Sequence, residues 1–296
     1  MRTKSATSFI MVILAGIFWG LISIFIRKLN AVGFDSFDIM FFRAWIAVII
    51  MFIFMLIFKR ELLKIRLKDI WMFLGTGLLS LTFFSFCYFS TIVRSGASVA
   101  VVLLYTSPIF VMLMSAVFFK EKITVKKIVA LILTFAGCVM VAGLIGSGIR
   151  MDAMSILIGL GAGFGYALYS IFGGFAVDKY SSITITFYTM LFSGIVLLFV
   201  CNPVEIVNKV TAEGPSLLPY VMGTAIVCTV LPYLCYTYGL KYMEKSKAAV
   251  LVTVEPLVGT LLGIFAYGED HGIFKIVGIV LIFASVIMLS IEKKTK

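Results

Sequence analysis

The sequence is poor in the side chains that carry most enzyme chemistry. Only 13% of its 296 residues are charged, and His271 is the single histidine. The five cysteines have no metal-ligand spacing and lie within or at the ends of apolar stretches, which is typical of packing residues. The chain has neither a Gly-x-Ser-x-Gly motif nor a phosphate-binding loop. We therefore expect no enzymatic activity, no metal and no cofactor, and we exclude ATP-driven transport by this chain alone.

Hydrophobic residues, in contrast, make up 62% of the chain, and the mean hydropathy is +1.14. An average soluble domain is roughly 45–50% apolar, so this composition predicts an integral membrane protein. Short charged clusters separate stretches long enough to cross a hydrocarbon core of about 30 Å. These stretches must be helical, because backbone groups in lipid have no water to bond. The ten predicted transmembrane helices are Phe9–Ile26, Phe37–Phe58, Ile70–Ile92, Ala97–Phe119, Val125–Ile145, Ala153–Phe175, Ile183–Cys201, Leu217–Leu240, Ala248–Tyr267 and Ile273–Ile291.

The basic residues are distributed unevenly between the two sets of predicted loops. Most of the 25 Lys and Arg residues fall on the side that also holds both termini. By the positive-inside rule this places the N- and C-termini in the cytoplasm, in a multi-pass protein of the cytoplasmic membrane. The same rule accounts for the net charge of +11, so we expect no nucleic-acid partner. The first span lacks a small-residue cleavage pattern, and we expect it to be retained.

The chain repeats itself with an offset of about 148 residues. Cys87 matches Cys235, Pro108 matches Pro256, and Glu121 matches Glu269, without a gap. The repeat predicts two five-helix units, residues 1–147 and 148–296. Because five is odd, the second unit enters the membrane from the opposite side. This arrangement is the inverted repeat of secondary transporters, in which two similar units can exchange conformations.

Prolines occur in the middle of three predicted spans. Pro108 and Pro256 are at matching depths in the fourth and ninth spans, and Pro232 is in the eighth. Proline removes a backbone donor and kinks a helix, so we expect unpaired carbonyls near the membrane midplane, where a transporter binds its substrate. A kink that serves packing alone is the alternative interpretation.

Several of these residues resemble the EamA family of the drug/metabolite transporter superfamily. The second unit has Glu255-Pro256, followed by an apolar helix that ends in Gly268-Glu269, and the first has Pro108 and Lys120-Glu121. Arg43, in "FFRAWIA", resembles the Phe-Arg element of the family. The resemblance covers essentially the whole chain. It implies export or exchange of small polar or amphipathic metabolites, often amino acids.

The candidate binding or coupling residues are polar or aromatic side chains well inside the spans. Trp19, Tyr88, Tyr166 and Tyr236 are predicted to border one central cavity, although packing in the helix core is an open alternative for each. They are joined by two charged residues, Arg43 and Glu255.

Charged side chains within a membrane are costly and are usually functional. Arg43 could pair with Asp38 or Glu255, reach the outer surface, or hold an anionic substrate. Glu255 could bind a proton, bind a substrate amino group, or bond to backbone groups released by Pro256. Glu121 and Glu269, at span ends on opposite sides of the membrane, are interpreted as helix-terminating or gate residues.

These patterns favour a secondary transporter, an exporter or exchanger of metabolites such as amino acids, working by alternating access around a midplane cavity. Its partners would be a small-molecule substrate, the lipid bilayer and, as a candidate coupling ion, the proton. A lipid scramblase or flippase on the same fold and a non-transporting membrane scaffold are the alternatives. We expect a monomer or a weak homodimer.

Overall fold

The computed structural model describes residues 2–144, 152–269 and 272–290, and this part of the chain is helical without a strand. His271 and the predicted span ends Ile145 and Ile291 lie outside the described residues. The α-helices are α1 (Arg2–Gly20), α2 (Ile22–Ala31), α3 (Ser36–Phe58), α4 (Ile70–Leu74), α5 (Phe83–Ser95), α6 (Ala97–Leu104), α7 (Ser107–Phe118), α8 (Val125–Val141), α9 (Ala153–Ala176), α10 (Ser182–Leu197), α11 (Pro203–Ala212), α12 (Leu218–Ala225), α13 (Leu231–Tyr242), α14 (Lys245–Leu251), α15 (Val254–Tyr267) and α16 (Ile273–Ser290).

Eight helical segments of the described chain are long and apolar enough to cross a membrane. They coincide with eight of the ten predicted spans, and most ends agree within three residues. The first segment is the exception, because it continues to Ala31 and includes Arg27 and Lys28. Charge does not end a helix whose last turns reach the water layer. The eight segments are Ala6–Ala31, Ser36–Phe58, Leu67–Ser95, Ala97–Phe118, Ala153–Ala176, Pro215–Tyr242, Lys245–Tyr267 and Ile273–Ser290.

The other two predicted spans are shorter helices. Helix α8 has 17 described residues and α10 has 16. At 1.5 Å per residue they reach about 24–26 Å, slightly less than the hydrocarbon thickness. The connection after α10 also differs from the predicted loop, because it contains the helix α11. Asn202 caps α11 and Pro203 occupies its first turn, a signal for a helix start that hydropathy does not detect.

Polar hydroxyls and small residues join the two halves of the chain. Thr134 and Ser285 share a hydrogen bond of 2.7 Å between α8 and α16, and Thr76 and Thr189 share another of 2.7 Å. Lipid provides no hydrophobic drive for helix association, so close packing and hydrogen bonds of this kind hold the helices together.

The spans that contain Pro108 and Pro256 are each broken into two helices. Helix α6 ends at Leu104 and α7 begins at Ser107, while α14 ends at Leu251 and α15 begins at Val254. Each proline lies in the first turn after its break, where a missing N–H costs little. Pro232 is also in a first turn, that of α13, directly after the π-helical segment Ile226–Val230.

The two broken spans run in opposite directions. The carboxylate of Glu121, just after α7, bonds to the first residues of α14, so the end of one span lies beside the start of the other. Glu269, just after α15, lines a cavity together with Ala97 at the start of α6. Each span is about 34 Å long. We call the two extremities the Glu121 end and the Glu269 end.

Ion pairs between span ends and the connecting segments fix the connections at the Glu269 end. Asp152 caps α9 and receives a hydrogen bond of 2.8 Å from Arg94. The bond from Ser155, followed by that from Arg94, lowers the pKa of Asp152 to about 2, so this carboxylate stays charged at all physiological pH values. Bonds to Glu205 and Asp38 raise the pKa of Lys209.

Both broken spans end on a residue with left-handed backbone geometry. Lys120 has φ +56° and its repeat mate Gly268 has φ +65°. In each case the following N–H bonds to the carbonyl six residues earlier, from Glu121 to Ser115 at 3.2 Å and from Glu269 to Gly263 at 3.0 Å. Left-handed geometry strains every residue that has a Cβ, so Lys120 is strained and Gly268 is not.

This difference predicts opposite effects of substitution on stability. Lys120→Gly should raise the free energy of unfolding by about 0.5 kcal/mol, because relief of strain exceeds the added entropy of the unfolded chain. Gly268→Ala should lower the free energy of unfolding by about 1 kcal/mol, because alanine is strained in the left-handed region. No steric clash adds to this cost, since a Cβ at this position meets open space. Denaturant unfolding of the purified protein in detergent measures both, with Lys120→Ala as the control for loss of charge. Stabilisation by Lys120→Ala equal to that by Lys120→Gly would contradict the argument.

Candidate functional site

A cavity of about 200 Å³ lies between the two halves, bordered by residues from α1, α3, α5, α9, α13 and α15. Five of the six predicted site residues line it: Trp19, Arg43, Tyr88, Tyr166 and Glu255. The sixth, Tyr236, lies behind this wall. It borders a void of about 20 Å³, and its hydroxyl shares a hydrogen bond of 2.8 Å with Ser170.

Glu255 projects from the first turn of α15, immediately after the break in the span. The N-terminus of a helix carries a partial positive charge and free backbone N–H groups, which favours a carboxylate by typically 0.3–1 kcal/mol. Pro256 fits the same turn because its missing N–H has no helical partner there. The hydroxyl of Tyr166 donates to the Glu255 carboxylate at 3.4 Å. Glu255 and Pro256 therefore lie in the first turn of α15, and the Glu255 carboxylate faces the cavity.

Arg43 lies on the wall contributed by α3. Asp38, one predicted partner, binds Lys209 instead at 3.0 Å and also accepts the backbone N–H of Asp35. Within the described residues, Arg43 and Glu255 do not form an ion pair with each other. The cavity thus presents one cation and one anion, and each of them can contact a ligand or water.

Aromatic rings form a large part of the wall, together with aliphatic side chains and two serines. Trp19 is the centre of this cluster, with ring centroids 5.1 Å from Tyr233, 5.6 Å from Tyr236 and 6.4 Å from Tyr166. Phe84 packs edge-on against Tyr166 at 5.3 Å. Rings held by other rings have little freedom, so the shape of the cavity is preformed.

Two π-helical segments precede helices that carry further cavity residues, of which Ser85 and Tyr233 were not predicted from the sequence. Gly75–Thr82 precedes α5, which provides Phe84 and Ser85, and Ile226–Val230 precedes α13, which provides Tyr233. Both segments end at matching repeat positions, although only the second is followed by a proline. A wide turn rotates the next helix relative to the preceding one and is frequent at functional sites. Tyr233 could have been found as the residue one turn before Tyr236.

The cavity continues towards the Glu269 end. A second space of about 320 Å³ shares Trp19 and Glu255 with the first and extends to Arg27 and Glu269. The side chains of Arg27 and Glu269 are 49% and 39% exposed, so this passage reaches the surface. In the opposite direction lies the tight ring cluster around Trp19 and Tyr236, and beyond it Glu121, whose side chain is only 8% exposed.

This geometry suits binding and release of a small polar molecule. Opposite charges and ring faces can hold an amphipathic ligand, while one open passage lets it enter or leave. Within residues 2–144, 152–269 and 272–290, no three His, Cys, Asp or Glu side chains are grouped as a metal site would require.

Comparison with known proteins agrees with the architecture. The EamA-like transporter family matches residues 6–143 and again 153–291, so both halves of the chain are covered. An uncharacterized transporter of Archaeoglobus fulgidus is 27% identical over 286 residues, which is 94% of each chain. The uncharacterized transporter YxxF of Bacillus subtilis is 22% identical over 300 residues, or 99% of this chain and 92% of that one.

A crystal structure of a protein that is 16% identical shares the fold, with a TM-score of 0.74 over 96% of both chains. The family model matches both halves of the chain, and eight helical segments of the described residues are long and apolar enough to cross a membrane. Together these two findings establish the class of the protein. The chain belongs to the EamA-like transporter family, and it is a multi-pass membrane protein.

Proposed function

We propose that this protein is a secondary transporter of the cytoplasmic membrane that exports or exchanges small metabolites such as amino acids. The observation that carries the proposal is the cavity between the halves, where Arg43 and Glu255 face a ring-lined space open towards one end. A zwitterion with an apolar side chain matches those three features, with its carboxylate towards Arg43 and its amino group towards Glu255.

Purified protein in lipid vesicles provides the test. A panel of amino acids and related metabolites should include a compound that raises the melting temperature, because a ligand that binds only the folded state stabilises it. The same compound should show saturable flux into or out of vesicles that contain only this protein. Lipid movement without any soluble substrate would instead indicate a scramblase.

We further propose that residues 1–147 and 148–296 are inverted five-helix repeats, with ten spans and both termini in the cytoplasm. The opposite directions of the α6–α7 and α14–α15 spans support the inversion. Five lysines, at positions 120, 122, 241, 245 and 247, surround a pocket at the Glu121 end, and by the positive-inside rule this supports a cytoplasmic location for that end.

The topology predicts the location of reporter fusions. A reporter fused after Lys59 should be active only in the cytoplasm, and one fused after Pro203 only outside, because the five predicted spans between the two sites, from α4 to α10, would cross the membrane an odd number of times. Paired cytoplasmic and extracytoplasmic reporters in cells measure this. If the reporters after Lys59 and after Pro203 were both active on the same side of the membrane, the ten-span arrangement would be wrong.

Glu255 is proposed to bind a cation during transport, either a proton or the amino group of the substrate. An ionised carboxylate exposed to hydrocarbon is very costly, so Glu255 must be hydrated, protonated or paired with a cation. The cavity gives it access to water, to protons and to a cationic ligand. The alternative of a structural role has one supporting contact, the bond from Tyr166.

Glu255→Gln keeps the shape of the side chain and removes its charge. We expect loss of proton-driven accumulation, because the amide cannot titrate. Exchange of substrate for substrate should survive if a proton is the bound cation, and should weaken about tenfold or more if the amino group is bound, through loss of a charge-assisted hydrogen bond. Glu213→Gln, an exposed acid outside the spans, is the matched control. Full accumulation with an unchanged pH profile would leave Glu255 a structural residue.

A further inference from the structure

Glu121 and Glu269 are repeat mates whose surroundings match closely at their own ends of the molecule. Each follows a left-handed residue at the end of its span. Each also lies near the repeat-mate lysine of the next helix, with Glu121 3.7 Å from Lys127 and Glu269 3.8 Å from Lys275. Each carboxylate therefore has equivalent neighbours within its own half of the chain. Any difference in their contacts comes from the other half of the protein.

The other half treats them differently. The carboxylate of Glu121 caps the start of α14, accepting the N–H of Lys245 at 2.6 Å, the N–H of Ser246 at 3.1 Å and the hydroxyl of Ser246. Ser246 is 3% exposed, so these bonds are shielded from water. This contact pulls the end of the first broken span onto the start of the second and closes the Glu121 end.

At the Glu269 end the equivalent contact is open. The repeat mates of Lys245 and Ser246 are Ala97 and Ser98, at the start of α6, and both line the same open passage as Glu269. Ala97 is exposed and Ser98 is half-buried. Glu269 instead binds Arg27, whose guanidinium also lies 4.1 Å from the centroid of the Tyr267 ring. Arg27 has no charged counterpart in the second half, because its repeat mate is Gly174.

We propose that these two carboxylates are reciprocal gates. In the state described, Glu121 caps α14 and Glu269 is held away from α6 by Arg27. In the opposite state, Glu269 leaves Arg27 and caps α6 through the N–H groups of Ala97 and Ser98 and the hydroxyl of Ser98, while Glu121 releases α14. The substrate passage then closes at the Glu269 end and opens at the Glu121 end. The inference rests on the proposed transport cycle and assigns its gating residues.

Hydrogen exchange can follow both gates without a transported substrate, because a backbone N–H bonded to a buried carboxylate exchanges slowly. In the unaltered protein in lipid nanodiscs, the amides of Lys245 and Ser246 should be protected and those of Ala97 and Ser98 should exchange faster. Glu121→Gln weakens one cap by a charge-assisted bond, which shifts the balance about tenfold towards the opposite state. Exchange should then rise at residues 245–246 and fall at residues 97–98.

The double variant Glu121→Gln with Glu269→Gln separates a switch from local fraying. If Glu269 supplies the new cap, the protection that Glu121→Gln creates at residues 97–98 should disappear in the double variant. The single variant Glu269→Gln is the matched control and should leave residues 245–246 protected. If the buried Glu121 proves necessary for folding, Ser246→Ala removes only one of the three bonds and should produce a smaller shift in the same direction.

Two results would overturn the proposal: unchanged or faster exchange at residues 97–98 in Glu121→Gln, or persistence of the new protection in the double variant. The measurement is independent of the proposed function. Reciprocal protection without flux of any metabolite would retain the gates and reject the transporter, whereas flux without reciprocal protection would do the reverse.

Discussion

The structure depends on the need to satisfy backbone polar groups inside a membrane when a helix is broken. Each broken span interrupts its hydrogen bonds at mid-depth, where unpaired groups cost several kcal/mol each in lipid. The hydroxyls of Thr106 and Thr253 bond back to carbonyls three residues earlier, at 2.6 Å and 2.5 Å. Their backbone N–H groups bond to the same two carbonyls, so each threonine pairs polar groups at its own break.

Close packing of the partner helix protects the same breaks. Gly16 of α1 lies against the break before α15, and a Cβ there would be 2.6 Å from the carbonyl oxygen of Val252. Its repeat mate Gly163 of α9 lies against the break before α7, where a Cβ would be 2.8 Å from the carbonyl oxygen of Leu103. Only glycine permits these approaches, so the first helix of each half covers the broken span of the other.

The sequence was a good guide to the fold and a partial guide to the site. Hydropathy found the apolar spans, since burial in lipid demands long apolar runs, but it missed α11, an amphipathic helix outside them. The six predicted site residues were chosen by asking which polar or aromatic side chains lie deep in a span, and five of them line the cavity. Tyr236 met the same criterion yet bonds to Ser170 behind the cavity, whereas Tyr233, three residues earlier on α13, lines it.

The sequence alone determined the membrane class, the family resemblance, the repeat and the equivalence of Glu121 with Glu269, because these follow from composition and from pairs of identical residues along one chain. Only the tertiary structure decided which partner each glutamate binds. The repeat gives the two glutamates equivalent places along the chain and does not say which partner each one binds. In the folded protein Glu121 contacts Ser246, whereas Glu269 contacts Arg27. Those contacts join residues more than a hundred positions apart, where local pattern carries no information about distance.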